Sequence, residues 1–141
     1  MADKPKSRSQ LLPLLQKVQE QEGYISDENM QKIADRLGIH PVEVYSVVSF
    51  YAFLSTKPQG KHIIRVSTCV PCMMAGADNV IKAFEKALGI NAGQTTPDNK
   101  FTLEKTSCIG MCDQAPAVLI DDKLMGFVAP EKVSEILREL A

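Results

Sequence analysis

Nowhere in this 141-residue chain does an apolar run approach the roughly 18 residues that cross a bilayer, so direct membrane insertion is not expected. Charge of one sign is not in excess either. The 16 basic residues stand against 17 acidic ones, a formal net charge of −1 that offers no electrostatic footprint for nucleic acid. The start, Met1-Ala2-Asp3-Lys4-Pro5-Lys6-Ser7-Arg8-Ser9-Gln10, is polar and basic, and the apolar stretch behind it is soon broken by Gln16 and Lys17. It lacks the core of a secretory signal, and a cytoplasmic location is the expectation. Also missing are an internal repeat, a low-complexity tract and a glycine-rich phosphate loop, so a nucleotide site in this chain is not supported. No Ser–His–Asp or paired-carboxylate constellation points to a hydrolase.

Cysteine is scarce too, but its four copies are not scattered. They form two tight pairs, Cys69-Val70-Pro71-Cys72 and Cys108-Ile109-Gly110-Met111-Cys112. In a reducing compartment such spacing points to metal binding or redox chemistry before structural bridges. Two short chelating loops supply what a [2Fe–2S] cluster requires, two thiolates for each tetrahedral iron. Gly110 leaves room for backbone to approach a sulfide, and Met73, Met74, Ile109 and Met111 are available as an apolar shell. Two other chemistries are compatible with four cysteines. One is a zinc-bound structural or interaction module, although zinc ribbons usually repeat a CxxC knuckle and the second pair here has three intervening residues. The other is a thioredoxin-like dithiol oxidoreductase using Cys69 and Cys72, which leaves Cys108 and Cys112 without work. The two histidines have weak claims as ligands: His40 precedes Pro41 at a turn, and His62 opens a strand. Asp113, Asp121 and Asp122 read as turn chemistry.

Hydrophobic periodicity organises the rest. Leu11, Leu14, Leu15 and Val18 share a helical face that Gly23 ends; Ser26 can cap a second helix carrying Met30, Ile33, Ala34 and Leu37; Pro41 opens a third. The apolar run at residues 47–54 needs cover. Around residues 55–60 the pattern changes, which divides the chain into a helical N-terminal module at 1–58 and a second domain at 59–141. There, residues 62–67 form a strand ending before the first cysteine pair, and Ala77, Val80, Ile81, Phe84 and Leu88 mark an amphipathic helix. Residues 91–99 form a loop, 101–106 a strand running into the second pair, and 117–120 with 124–128 a hairpin about Asp121-Asp122-Lys123. A last helix follows Pro130. The fold class is α/β: a helical bundle, then β-α-β-β-β-α with a mixed four-stranded sheet.

Pro41-Val42-Glu43-Val44-Tyr45-Ser46-Val47-Val48-Ser49-Phe50-Tyr51, Ile64-Arg65-Val66 leading to Pro71-Cys72-Met73, and Cys108-Ile109-Gly110-Met111-Cys112 followed by Ala115-Pro116 together resemble a known family. It is the thioredoxin-like [2Fe–2S] subunit of respiratory complex I, found also in NAD-linked and electron-bifurcating hydrogenases and in formate dehydrogenases. The resemblance spans nearly the whole chain. It implies a thioredoxin-like ferredoxin domain behind a helical bundle and a one-electron carrier role beside the FMN of a partner flavoprotein. That partner would bind NAD(H), and it and other subunits would hold further Fe–S clusters; this chain alone would not turn over NADH. The family usually places four residues between its first two ligand cysteines, whereas only Val70 and Pro71 separate Cys69 from Cys72. With Cys72 as anchor, Ser67 stands where the first cysteine usually stands. The resemblance then implies Cys69, Cys72, Cys108 and Cys112 as ligands, with Cys69 the replacement because a thiolate binds iron better than an alcohol. Ser67 as an oxygen ligand is the alternative.

Overall fold

A computed structural model describes residues 8–141; the polar start at residues 1–7 lies outside the described residues. The described residues form two compact units that divide between Pro58 and Gln59.

In the first unit a 3-10 turn at Arg8–Gln10 leads into three helices, α1 Leu11–Glu22, α2 Asp27–Leu37 and α3 Pro41–Phe50. The second begins as its sequence signature requires: Ser26 is extended and its hydroxyl oxygen accepts the Asn29 N–H at 3.2 Å, satisfying a donor the first turn leaves unpaired. Asp27 and Glu28 sit in that turn, where the helix dipole favours negative charge. Leu15, Ile25, Ala34, Val44 and Val48 are fully buried where the three helices meet. The apolar run at 47–54 is only partly covered within this unit. Val48 is buried and Val47 and Leu54 pack on the core, but α3 stops at Phe50, which is 79% exposed, and Tyr51 and Phe53 are also exposed.

The second unit is a five-stranded mixed sheet in the order β2-β3-β1-β4-β5, formed by β1 His62–Ser67, β2 Gln94–Thr95, β3 Phe101–Thr106, β4 Val118–Ile120 and β5 Lys123–Met125. The central pair, β1 and β3, is parallel and all other neighbours are antiparallel. The helices are α4 Val70–Met74, α5 Ala77–Leu88 and, after a 3-10 turn at Pro130–Lys132, α6 Val133–Leu140. Strand alternation sends Ile64, Val66 and Leu103 to one face, where Val80, Phe84 and Val133 of α5 and α6 cover them. Arg65 points to the other face and pairs with its register partner Glu104 at 3.0 Å, so a charged side chain only 8% exposed has a partner of opposite charge. Gln59 also donates to Glu104 at 2.7 Å, and the Gly60 N–H donates to Thr102 Oγ1 at 2.6 Å.

Three local expectations are corrected. The segment at 91–99 is not all loop: Gln94 and Thr95 add a short fifth strand, pairing with Leu103 and Thr102 of β3. The last strand ends at Met125 instead of running to Val128, because the Phe127 and Val128 N–H groups donate to the Gln114 and Pro116 carbonyls and not to a strand. Cys72 lies in the short helix α4 and not in a loop. No helix among the described residues is long and apolar enough to cross a membrane.

Phe84 is the largest fully buried side chain and joins α5 to the sheet. Phe84→Ala should lower the unfolding free energy of this unit by about 3–5 kcal/mol in denaturant titrations followed by circular dichroism. A loss below about 1 kcal/mol would show that α5 does not depend on this contact.

Candidate metal centre

The parallel pairing of β1 and β3 brings the two cysteine pairs together. Ser67 is the register partner of Thr106, and these are the last residues of the two strands. Cys69 and Cys108 each lie two residues beyond that last pairing, so parallel strands deliver both to the same end of the sheet. Thr68 tightens the exit, its N–H and its hydroxyl both donating to the Thr106 carbonyl at 2.9 and 3.0 Å.

The sulfurs of Cys69, Cys108 and Cys112 all lie within 4.8 Å of one another. Cys108 and Cys112 are 3.1 Å apart and Cys69 and Cys112 4.0 Å, well beyond a disulfide bond of about 2.04 Å, and all four cysteines are free thiols. Cys72 is not in that trio. It is 1% exposed and belongs to the apolar core on α4, the helix for which Cys69 is the N-terminal flanking residue. Cys69 is half-buried, and Cys108 and Cys112 are exposed.

The second loop is shaped by a left-handed turn. Gly110 has φ 86°, a conformation that side chains rarely tolerate, and it turns its N–H onto the Cys108 sulfur at 3.3 Å. Cys112 opens a 3-10 turn ending at Gln114, after which the Ala115–Pro116 bond is cis. This turn is clamped by the segment after β5, where the Phe127 N–H reaches the Gln114 carbonyl at 2.7 Å and the Val128 N–H the Pro116 carbonyl at 3.0 Å. Gly126 lies so close beneath that a Cβ there would stand 2.6 Å from Cβ of Gln114. Sequence reasoning missed this clamp, although a glycine inside a strand pattern marks close backbone approach.

The electrostatics distinguish the sulfurs. The Ser67 hydroxyl, helped by the Cys72 N–H, lowers the Cys69 thiol to about 7. Cys112 is pushed up to about 12 because its thiol serves Cys108 and Cys69 as a donor and a second negative charge beside them is repelled. Thiolates this close repel one another, and cationic iron removes that cost; the donor set fits a thiolate-ligated centre. The apolar shell is thinner than expected. Ile109 and Met111 pack against the core, whereas Met73 is 43% and Met74 84% exposed. The remaining sequence suspects lie elsewhere. His62 is at the far end of β1, its Nδ1 2.8 Å from Asp121 Oδ2, while Asp121 Oδ1 accepts the Ile63 N–H at 2.8 Å and so ties the hairpin turn to the sheet. His40 caps α3 in the helical unit.

Fold and site together define a thioredoxin-like protein with a thiolate centre at one end of its sheet. The profile of the thioredoxin-like [2Fe–2S] ferredoxin family matches residues 1–141, and the chain belongs to that family, whose cofactor is a [2Fe–2S] cluster. It is 38% identical over 135 residues to the HndA subunit of the NADP-reducing hydrogenase of Solidesulfovibrio fructosivorans, covering 96% of this chain and 79% of that protein. It is 40% identical over 130 residues to a subunit of the NADH-quinone oxidoreductase of Pseudomonas aeruginosa, covering 92% of this chain and 78% of that protein. Among solved structures, an NAD+-reducing [NiFe]-hydrogenase in the air-oxidised state superposes with a TM-score of 0.77 at 23% identity. That likeness covers 90% of this chain but 22% of the other, and it speaks to the fold.

Gly126→Ala should push Gln114 aside and loosen the turn that carries Cys112. We expect a stability loss of about 1–3 kcal/mol and a lower iron content after purification. A variant that keeps wild-type stability and iron content would show that the clamp does not hold the second cysteine loop.

Proposed function

We propose that this chain is the electron-carrying subunit of an NAD(H)-linked oxidoreductase complex, its [2Fe–2S] cluster held by Cys69, Cys72, Cys108 and Cys112. The observation that supports it most directly is the convergence of three sulfurs within 4.8 Å at the end of the β1–β3 pair, with Cys72 three residues beyond one of them on α4. When bound, the cluster supplies reversible uptake and release of one electron. The chain's own residues do the rest. Cys69, two residues beyond β1, and Cys72 on α4 would hold the group together with Cys108 and Cys112 of the second loop, and the Gly110 N–H and Ser67 hydroxyl direct hydrogen bonds at sulfur.

The partner on this reading is a flavoprotein subunit with FMN and an NAD(H) site. Further Fe–S subunits complete a hydrogenase, a formate dehydrogenase or an NADH:quinone oxidoreductase. The kinds of complex named for the two relatives support it. The division at Pro58 is read as a boundary between a helical docking module and the ferredoxin domain, the exposed Val42, Tyr45, Phe50 and Phe53 being surface for the partner. On this reading the assembly works in the cytoplasm and catalysis belongs to it, not to the isolated chain.

Protein made anaerobically with ample iron should be brown and contain about two iron and two sulfide ions per chain. Its dithionite-reduced form should give an electron paramagnetic resonance signal. Each of Cys69→Ser, Cys72→Ser, Cys108→Ser and Cys112→Ser should lower cluster content or change that signal. Colourless protein containing zinc would overturn the carrier reading, and an unchanged signal in any one serine variant would remove that residue from the ligand set.

A further inference from the structure

We infer that Ser67 is not a ligand but a fixed hydrogen-bond donor to the Cys69 ligand sulfur, and that it sets the reduction potential of the centre. This rests on the carrier reading above and adds a role for a residue outside the ligand set. Ser67 closes β1 and its backbone cannot drift: its N–H donates to the Ala117 carbonyl at 3.0 Å, and the next N–H, of Thr68, to the Thr106 carbonyl at 2.9 Å. The side chain is 1% exposed, so water does not compete for its hydroxyl. Two acceptors lie in reach, the Cys69 sulfur at 3.4 Å and the Ser107 carbonyl at 3.3 Å.

A hydroxyl has one hydrogen and must choose. A thiolate bound to iron is an anionic acceptor, and hydrogen bonds to charged acceptors are about twice as strong as neutral ones, so the hydrogen goes to sulfur. The carbonyl of Ser107, the residue before Cys108, is then the acceptor that the hydroxyl gives up. Cys69 offers iron a thiolate, a better ligand than a neutral alcohol. Serine at this position therefore keeps its proton while Cys69, two residues on, takes the iron. A donor to a ligand sulfur stabilises the reduced state, which carries one more electron, over the oxidised state. Reduction takes one electron from the external reductant and moves no proton, because the hydroxyl stays protonated throughout.

The test uses the full chain loaded with its cluster, comparing wild type, Ser67→Ala and Ser67→Thr. Iron and sulfide content reports assembly, and a dye-mediated redox titration read by visible absorption reports the potential. Resonance Raman of the iron–cysteine stretches in light and heavy water reports the hydrogen bond. Ser67→Ala should keep its iron and sulfide, show a smaller deuterium shift, and have a reduced-to-oxidised ratio at fixed potential about tenfold lower, equivalent to about 59 mV for a one-electron couple. Ser67→Thr, which keeps the hydroxyl, should match wild type. An alanine variant with an unchanged midpoint overturns the inference, as does one that folds but loses its cluster, because Ser67 would then act as a ligand. Should the alanine variant fail to fold, the wild-type protein decides: no deuterium shift overturns the inference, and a shift that Ser67→Thr preserves supports it. Absence of iron from wild type is a different failure, that of the carrier reading itself.

Discussion

The parallel register between β1 and β3 is the constraint on which the rest of the metal centre depends. Two strands that run the same way and end on the same pairing, Ser67 with Thr106, must release their following residues at one edge. Had these strands been antiparallel, Cys69 and Cys108 would leave from opposite ends of a six-residue ladder. The parallel arrangement requires a crossover, and α4 and α5 supply it. Burial of Phe84 and Val80 against Ile64, Val66 and Leu103 is thus what keeps the sulfurs together, although none of these residues touches them in any chemical role.

The two cysteine loops are held by different means. The first is short and passes at once into α4, so Cys69 is tied to that helix through its carbonyl, which accepts the Met73 N–H at 2.9 Å, and Cys72 is fixed by burial in the core. The second is a more exposed excursion that sets Ile109 and Met111 against the core and is clamped from outside by the Gly126–Val128 segment. Phe127 has φ 50°, uncommon for a bulky residue, and the hydrogen bonds of that clamp hold it there. Cys108 and Cys112 are exposed and Cys72 is buried, so the proposed four-cysteine centre would be asymmetric, one side toward solvent and one toward the core. Such asymmetry suits a centre that must exchange electrons with something outside the chain while remaining anchored within it.

Much of this is legible in the sequence because it depends on local chemistry. Ser26, Asp27 and the spacing of Met30, Ile33, Ala34 and Leu37 specify α2 without reference to anything distant. The hairpin about Asp121 and Asp122 and the strand at 101–106 are equally readable, each set by turn residues or alternation. What the sequence hides involves partners far along the chain. Gln94 and Thr95 carry no strand signal and pair only because β3 offers them an open edge. Residues 126–128 look like more strand, but their N–H groups are taken by the loop at 114–116. Met73 and Met74 are apolar and adjacent to Cys72, yet the short α4 turns them outward.

By itself the sequence determined the inventory of this protein: four thiols in two chelating pairs, three N-terminal helices, an α/β domain, and a serine where the family's first cysteine usually stands. The first three follow from residue identity and short-range spacing, and the last from the resemblance to the family; no tertiary contact alters them. Only the tertiary structure decided that Cys69, Cys108 and Cys112 converge while Cys72 turns into the core, and that the Ser67 hydroxyl lies between the Cys69 sulfur and the loop leading to Cys108. The physical reason is strand pairing. Register and direction are set by burial of a shared sheet face, and that quantity is a property of the assembled domain and of no single segment.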